Sequence, residues 1–212
     1  MTRLIFIRHG ESLGNAQRRF LGHTDWDLTE RGYHQAQKTA EYLKNTHIDV
    51  VYSSDLMRAY NTVLPIAKAR GIEIIKDEAF REISAGKWEG LCYDEIEQVY
   101  PEAHKTWVCD IGNAVCTGGE SVLELQTRVR AEIERVAREN EGKTVCIGTH
   151  ATPLRAMICF WRGLPIGETK NVDWVTNASV TVVDYEDGKA TLVSVGEARH
   201  LGDDRSDELK NI

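Results

Sequence analysis

Short apolar runs alternate with amphipathic stretches along most of the chain. The runs from Arg3 to Arg8, Asp49 to Ser53, Glu73 to Lys76, Thr144 to Gly148, Val180 to Tyr185 and Ala190 to Val195 are of strand length and composition. Between them the period changes to that of a helix. From Thr29 to Lys44, Tyr33, Ala36, Ala40 and Leu43 share one face behind Thr29 as N-cap. Leu56 to Arg70 reads as a second helix, which Pro65 is expected to kink or break. Behind Ser121, the residues Val122, Leu125, Val129, Ile133 and Val136 trace one face as far as Gly142. This alternation predicts an α/β fold, a three-layer αβα sandwich with helices on both faces of a mainly parallel sheet. The last two strands are joined by Glu186-Asp187-Gly188-Lys189, a hairpin signal that predicts an antiparallel edge.

The alternation lapses between Glu82 and Gly119, where a Trp- and Tyr-bearing stretch holds one short helix near Tyr93 to Tyr100, bounded by Pro101. Segments of this kind commonly serve as lids or binding loops, so 82–119 reads as an insertion over the site. After Gly196 the chain is polar and aperiodic, and 197–212 is expected to be a partly disordered tail. A length of 212 residues suits one domain spanning 1–212.

Charge narrows the ligand. A formal net charge of −7 argues against a general nucleic-acid or membrane-surface binder, so an anionic ligand must be caught locally. No apolar run approaches the roughly 20 residues of a membrane span, and no signal-peptide pattern precedes the first strand, so cytoplasmic residence is the default expectation. Cys92, Cys109, Cys116, Cys146 and Cys159 are odd in number and form no CxxC pair, and they are read as free thiols.

Candidate chemistry begins where the first strand ends, in Ile7-Arg8-His9-Gly10-Glu11-Ser12. A strand ending in Arg-His-Gly delivers a cation and an imidazole to the carboxyl edge of a sheet, where open α/β folds place ligands. Gly10 permits a sharp turn and close approach to a ligand, and Ser12 and Asn15 add short polar groups. Arg58 falls in the first turn of a helix after the second strand, and His150 ends another strand at the mouth of a helix that begins with Ala151. Two strand-end histidines and two arginines imply a phosphate-sized site.

In these residues the chain resembles the histidine phosphatase superfamily, also called the phosphoglycerate mutase-like family, from Leu4 to about Val183. The resemblance rests on Arg8-His9-Gly10-Glu11-Ser12 with Asn15, Gly22 to Asp25 leading to Leu28-Thr29-Glu30-Arg31-Gly32, and Ser53-Ser54-Asp55-Leu56 with Arg58 and Thr62. Arg81-Glu82, Gly118-Gly119-Glu120-Ser121 and His150 complete it. It implies that His9 is a nucleophile that becomes phosphorylated, that Arg8, Arg58 and His150 hold the phosphoryl oxygens, and that Glu82 is the proton donor. Asn15, Ser12, Gly22, His23 and Ala151 are the implied substrate-binding residues, with no metal and no cofactor. His34, His47, His104 and His200 have no matching partners and read as surface or packing residues, His104 being the one of these that could face the site, and Phe20, Tyr93 and Trp107 either pack the insertion or contact substrate. Ala151 stands where the family usually has glycine, and its methyl is expected to narrow the pocket.

Gln35-Ala36, Lys87-Trp88-Glu89-Gly90 and Gly118-Gly119-Glu120-Ser121 resemble the phosphatase branch, whereas cofactor-dependent mutases usually carry tryptophan at the position of Gly14. The implied function is therefore a phosphomonoesterase acting on a small phosphorylated metabolite, with no nucleic-acid or membrane partner. A cofactor-dependent phosphoglycerate mutase is the alternative, ahead of a non-catalytic phosphate-binding module. A metal-dependent hydrolase is disfavoured because the two histidines lack clustered carboxylates. Phosphosugars, phosphoglycerate derivatives, phosphoserine and a nucleotide-loop intermediate of cobalamin synthesis all remain as substrates, and monomer and homodimer are both open.

Overall fold

Alternate residues of the first strand face two separate hydrophobic cores, and the layered architecture follows from that. The structure, a computed structural model, describes residues 1–206. Its strands are β1 (Thr2–Arg8), β2 (Val50–Ser53), β3 (Ile74–Lys76), β4 (Thr144–Thr149), β5 (Val180–Glu186) and β6 (Lys189–Glu197). Its α-helices are α1 (Leu13–Ala16), α2 (Glu30–Tyr42), α3 (Met57–Lys68), α4 (Tyr93–Val99), α5 (Pro101–Cys109), α6 (Val122–Glu139) and α7 (Ala151–Trp161). Leu4 and Phe6 of β1, with Val145 and Ile147 of β4, pack against Leu125, Val129 and Ile133 of α6 and Leu154 and Met157 of α7. Ile5 and Ile7, with Val51 and Cys146, meet Val63 and Ile66 of α3 and Leu43 just after α2. The result is the expected three-layer α/β sandwich.

The six-stranded sheet runs β3-β2-β4-β1-β5-β6. The pairs β3–β2, β2–β4 and β4–β1 are parallel, while β5 is antiparallel to β1 and β6 to β5. Asp187 and Gly188 join β5 to β6 with φ of 50° and 74°, the left-handed pair of a type I′ hairpin turn. Arg8 is in register with Thr149, and Ser53 with Gly148, so β1, β2 and β4 end at one edge. Among the described residues no helix is long and apolar enough to cross a membrane.

Three expectations need correction. Helix α3 runs through Pro65 without a break. Val63, Ile66 and Ala67 are buried around it, and their packing outweighs the roughly 3 kcal/mol that an interior proline costs. Pro101 bounds α4 but also starts α5, because proline is well suited to the first turn of a helix. The tail is structured as far as it is described: β6 extends to Glu197, and a 3-10 segment, Arg199–Asp204, lies on α2 through Lys38 Nζ to the Leu201 carbonyl at 2.9 Å. The remainder of the expected tail, 207–212, lies outside the described residues.

The segment 82–119 is part of the main core rather than a loose flap. Trp88, Ile96, Trp107 and Ile111 are buried in the cluster that holds Phe6 and Ile147. Its two ends are pinched together, with Lys87 N–H donating to Thr117 O and Glu120 N–H to Ser84 O, each at 2.9 Å. At the neck, Gly86 has φ +56°, and a Cβ there would lie 2.4 Å from the Gly118 and Gly119 backbone, so only glycine fits.

Candidate active site

His9 follows directly on β1 and is buried. Its N–H donates to Thr149 O at 2.9 Å, and its carbonyl accepts from Asn177 Nδ2 at 3.0 Å and from the Ala178 N–H at 3.2 Å. The ring Nδ1 lies 2.7 Å from Gly10 O. A carbonyl can only accept, so Nδ1 carries the proton and Nε2 holds the lone pair of the neutral ring. Burial, reinforced by the positive charge of Arg58 and Arg8, pushes the imidazole well below its ordinary pKa, so the ring is neutral at physiological pH.

The cations and polar donors around that nitrogen are held from behind. Arg8 Nη1 donates to Val175 O at 2.5 Å, while its Nε is buried without a partner. Arg58, in the first turn of α3, donates to Thr24 O at 2.9 Å and Gly22 O at 2.7 Å. Burial pushes both guanidiniums down to about 10 against the opposing pull of Glu82, which leaves them charged at neutral pH. The rings of His150 and His9 stand 5.1 Å apart, edge to face. His150 Nε2 lies 2.9 Å from Ser54 Oγ, and its Nδ1 is buried and unpartnered. Asn15 takes hydrogen bonds on Oδ1 from Ser12 N and Oγ, both at 3.0 Å, and from Asn177 Nδ2 at 3.2 Å. Its amide nitrogen makes none among the described residues.

The loop after β1 is shaped by two glycines in contact. A Cβ on Gly10 would sit 2.6 Å from Gly32 O, and one on Gly32 2.1 Å from Glu11 O. Gly10 therefore serves the approach of α2 rather than contact with a ligand. Thr62 Oγ1 accepts from Gly10 N at 2.9 Å and Gln35 Oε1 from Glu11 N at 2.7 Å, while Gln35 Nε2 reaches Asp204 O at 2.7 Å.

Glu82 brings a carboxylate to the same space. Its Oε1 accepts from Ile83 N at 2.8 Å and its Oε2 from Thr152 N at 3.4 Å, in the first turn of α7. That turn has no side-chain cap, so its amides also point at the site.

Together Arg8, His9, Asn15, Arg58 and Glu82 line a narrow cleft in which the centres of water-sized spheres have about 60 Å3 of room. Ser12, Gly22 and Ala151 border it as expected, although the Ser12 hydroxyl is engaged in capping α1 and the Gly22 carbonyl in holding Arg58. His150 is buried edge to face against the His9 ring and is not itself among the residues that border the cleft. His23 is turned away to donate through Nε2 to the Glu82 carbonyl at 2.9 Å. His104, half-buried on α5, does not border the cleft.

Phe20, Tyr93 and Trp107 both pack and line. Phe20 stands 5.0 Å from Trp107 and 6.0 Å from Tyr93, ring centre to ring centre, and all three face the cleft. Arg19 and Trp174 also line it and were not singled out from the sequence. Trp174 lies under the Arg155 guanidinium at 4.3 Å, in an irregular segment before β5 whose pattern carries no signal. Asn177 belongs to the same segment. Among the described residues no group of three or more His, Cys, Asp or Glu is placed to hold a metal ion.

Residues 4–198 match the model of the histidine phosphatase superfamily (branch 1). The chain is 36% identical over 203 residues to phosphoserine phosphatase 1 of Hydrogenobacter thermophilus, covering 96% of each chain. It is 34% identical over 202 residues to phosphoglycerate mutase-like protein 4 of Arabidopsis thaliana, covering 93% of this chain and 86% of that one. Among solved structures, Bacillus stearothermophilus YhfR superposes with a TM-score of 0.91 at 29% identity, covering 95% of this chain and all of that one.

Proposed function

Since the chain belongs to branch 1 of the histidine phosphatase superfamily and is a phosphatase, we propose that it hydrolyses a small phosphomonoester through a phosphohistidine on His9. The observation that carries this reading is the set of buried groups that find no acceptor among the described residues, Arg8 Nε and His150 Nδ1, gathered about a neutral His9 whose Nε2 has no partner there either. Leaving a buried donor unpaired costs about 1–3 kcal/mol, so the fold keeps these for the oxygens of a ligand.

In the first step the Nε2 lone pair of His9 attacks phosphorus as the ester P–O bond breaks. The bonding pair goes to the ester oxygen, which takes a proton from the Glu82 carboxyl and leaves as the alcohol. Arg8, Arg58, His150 and Asn15 stabilise the charge on the three transferring oxygens. In the second step water attacks phosphorus, gives its proton to the Glu82 carboxylate, and the N–P bond breaks to restore neutral His9 and release phosphate.

Tyr93 and Trp107, from the segment 82–119, and Trp174, from the stretch before β5, line the cleft and are the aromatic groups available to choose among substrate alcohols. The relative in Hydrogenobacter thermophilus is named for phosphoserine, so phosphoserine leads the substrate panel, followed by phosphosugars and phosphoglycerates. Hydrolysis is favoured over mutase action at Gly14. A side chain there would start 2.4 Å from Leu21 Cγ, which leaves no room for the tryptophan that cofactor-dependent mutases carry.

The test is a rapid-quench experiment with a labelled substrate, run beside p-nitrophenyl phosphate turnover by wild type and His9→Ala. The reading requires an acid-labile phosphoryl group on His9 and loss of turnover in the variant. Equal turnover by both proteins, or label on another residue, overturns it. Fast isomerisation of 3-phosphoglycerate with a bisphosphoglycerate primer and no net phosphate release favours the mutase.

A further inference from the structure

Arg128 lies on α6, outside the cleft, yet its guanidinium is bound to the chain that presents Glu82. Nη1 donates to Ala79 O at 2.8 Å and Arg81 O at 3.1 Å, and Nη2 donates to Glu82 O at 2.8 Å. The remaining donors grip Glu120 in a fork, Nε to Oε1 at 2.7 Å and Nη2 to Oε2 at 2.9 Å. Glu120 Oε2 in turn accepts from Ser84 N at 3.1 Å. One ion pair thus ties down the backbone on both sides of Glu82.

The need for such a clamp is local. Glu82 sits between the 3-10 segments Glu78–Phe80 and Gly86–Trp88, on backbone that belongs to no helix or strand, so side chains must satisfy its carbonyls. Its carboxylate has only the neighbouring Ile83 amide at 2.8 Å and a long contact to Thr152 to hold it. Where the carboxyl points is therefore set by where the backbone is held. The His23 imidazole adds a second donor to the Glu82 carbonyl. Lysine, whose three donors all radiate from one nitrogen, cannot span this set of acceptors as the planar fork does.

We infer that the Arg128–Glu120 pair is a positioning device for the Glu82 proton donor, with Arg128 acting through the backbone and touching no substrate. This rests on the reading of Glu82 as the acid. An acid matters most for a poor leaving group: an alkoxide departs only with a proton, whereas p-nitrophenolate departs without one. Misplacing the donor therefore penalises alkyl phosphates selectively, and a general loss of structure penalises both ester types alike.

The experiment compares wild type, Glu82→Gln, Arg128→Gln, Arg128→Lys and Glu120→Gln in the full chain. Each is assayed on p-nitrophenyl phosphate and on the alkyl phosphate of the panel that wild type hydrolyses best, with melting temperatures in parallel. Arg128→Gln is expected to lose about 10- to 100-fold more kcat/KM, which reports the step in which the alcohol leaves, on the alkyl than on the aryl ester, the bias shown by Glu82→Gln, with Arg128→Lys in between. Equal losses on both esters, or no loss, overturn the inference. If Glu82→Gln itself shows no bias, the acid assignment falls and the inference with it, a result distinct from a biased Glu82→Gln beside an unbiased Arg128→Gln. Should Arg128→Gln not fold, Glu120→Gln, which keeps the side-chain volume, decides by the same ratio.

Discussion

The Ser54 hydroxyl sits between the Leu56 amide, from which it accepts at 3.3 Å, and Nε2 of His150 at 2.9 Å. The amide occupies one of the two lone pairs of the hydroxyl and leaves its proton for Nε2, and in that arrangement the proton of the neutral His150 ring is on Nδ1, a buried atom for which no partner is found among the described residues. We propose that Ser54 in this way selects the tautomer in which His150 presents a donor. Ser54→Ala is expected to release the tautomer and lower kcat/KM about tenfold, the worth of one hydrogen bond of about 1.4 kcal/mol. Ring-nitrogen NMR of the labelled protein reports the tautomer, and unchanged nitrogen shifts would remove this explanation.

Acid weakens the fold through two buried histidines. His9 and His150 are both held well below their ordinary value of 6.5, by burial first and then by nearby positive charge. Below that value the unfolded chain binds protons that the native state refuses, so the stabilisation is complete above it and is lost as the pH falls. Each histidine contributes a slope of about 1.4 kcal/mol per pH unit in this range. Urea unfolding between pH 7.5 and 5.0 measures the slope, and His150→Gln is expected to reduce it by one proton.

Gly32→Ala sets two effects against each other. Alanine favours a helix by about 1 kcal/mol over glycine, but its Cβ would lie 2.1 Å from the Glu11 carbonyl, which is backbone and cannot turn aside. Overpacking of this kind costs about 1–3 kcal/mol, so the clash wins. The variant is expected to melt lower and to lose activity as the loop carrying Gly10 shifts. Gly167→Ala, whose Cβ meets only Asn113 Nδ2 at 3.7 Å, is the control and leaves both unchanged.

Gln35 joins the loop after His9 to the C-terminal turn. Its replacement by alanine strips the acceptor from the Glu11 amide and the donor from Asp204 O, a loss of about 1–3 kcal/mol. Hydrogen exchange is expected to rise together at Glu11 and across Arg199–Asp204. A rise at one end alone would show that the two are not coupled.

The fold and the centre of the site were legible because both are written in local patterns. The continuous apolar run Leu4 to Ile7 signals a strand buried on both faces, and Arg8-His9 at its end needs only the parallel register of β1 and β4 to meet His150. What escaped notice depends on side chains meeting across long loops. Arg128 reads as one more charge on the polar face of α6, and Asn177 and Trp174 lie in a stretch without periodicity. His23 has the residue type of a ligand contact, but the hydrogen bond that turns it toward the Glu82 carbonyl comes from a partner 59 positions away. Pro65 shows the reverse error, a strong local signal overruled by the packing of its neighbours.

The pinched neck at Gly86 and Gly119 has a consequence for how such enzymes diverge. A segment that enters and leaves at one point can change at its exposed turns without re-routing the chain beneath it. Trp88, Ile96, Trp107 and Ile111 tie it to the main core, and Glu89 holds the loop that receives Arg58, so these positions are bound to stay. New substrates are therefore accessible to this scaffold through the few positions of one closed loop that face the cleft, Tyr93 among them, with the anchoring residues kept.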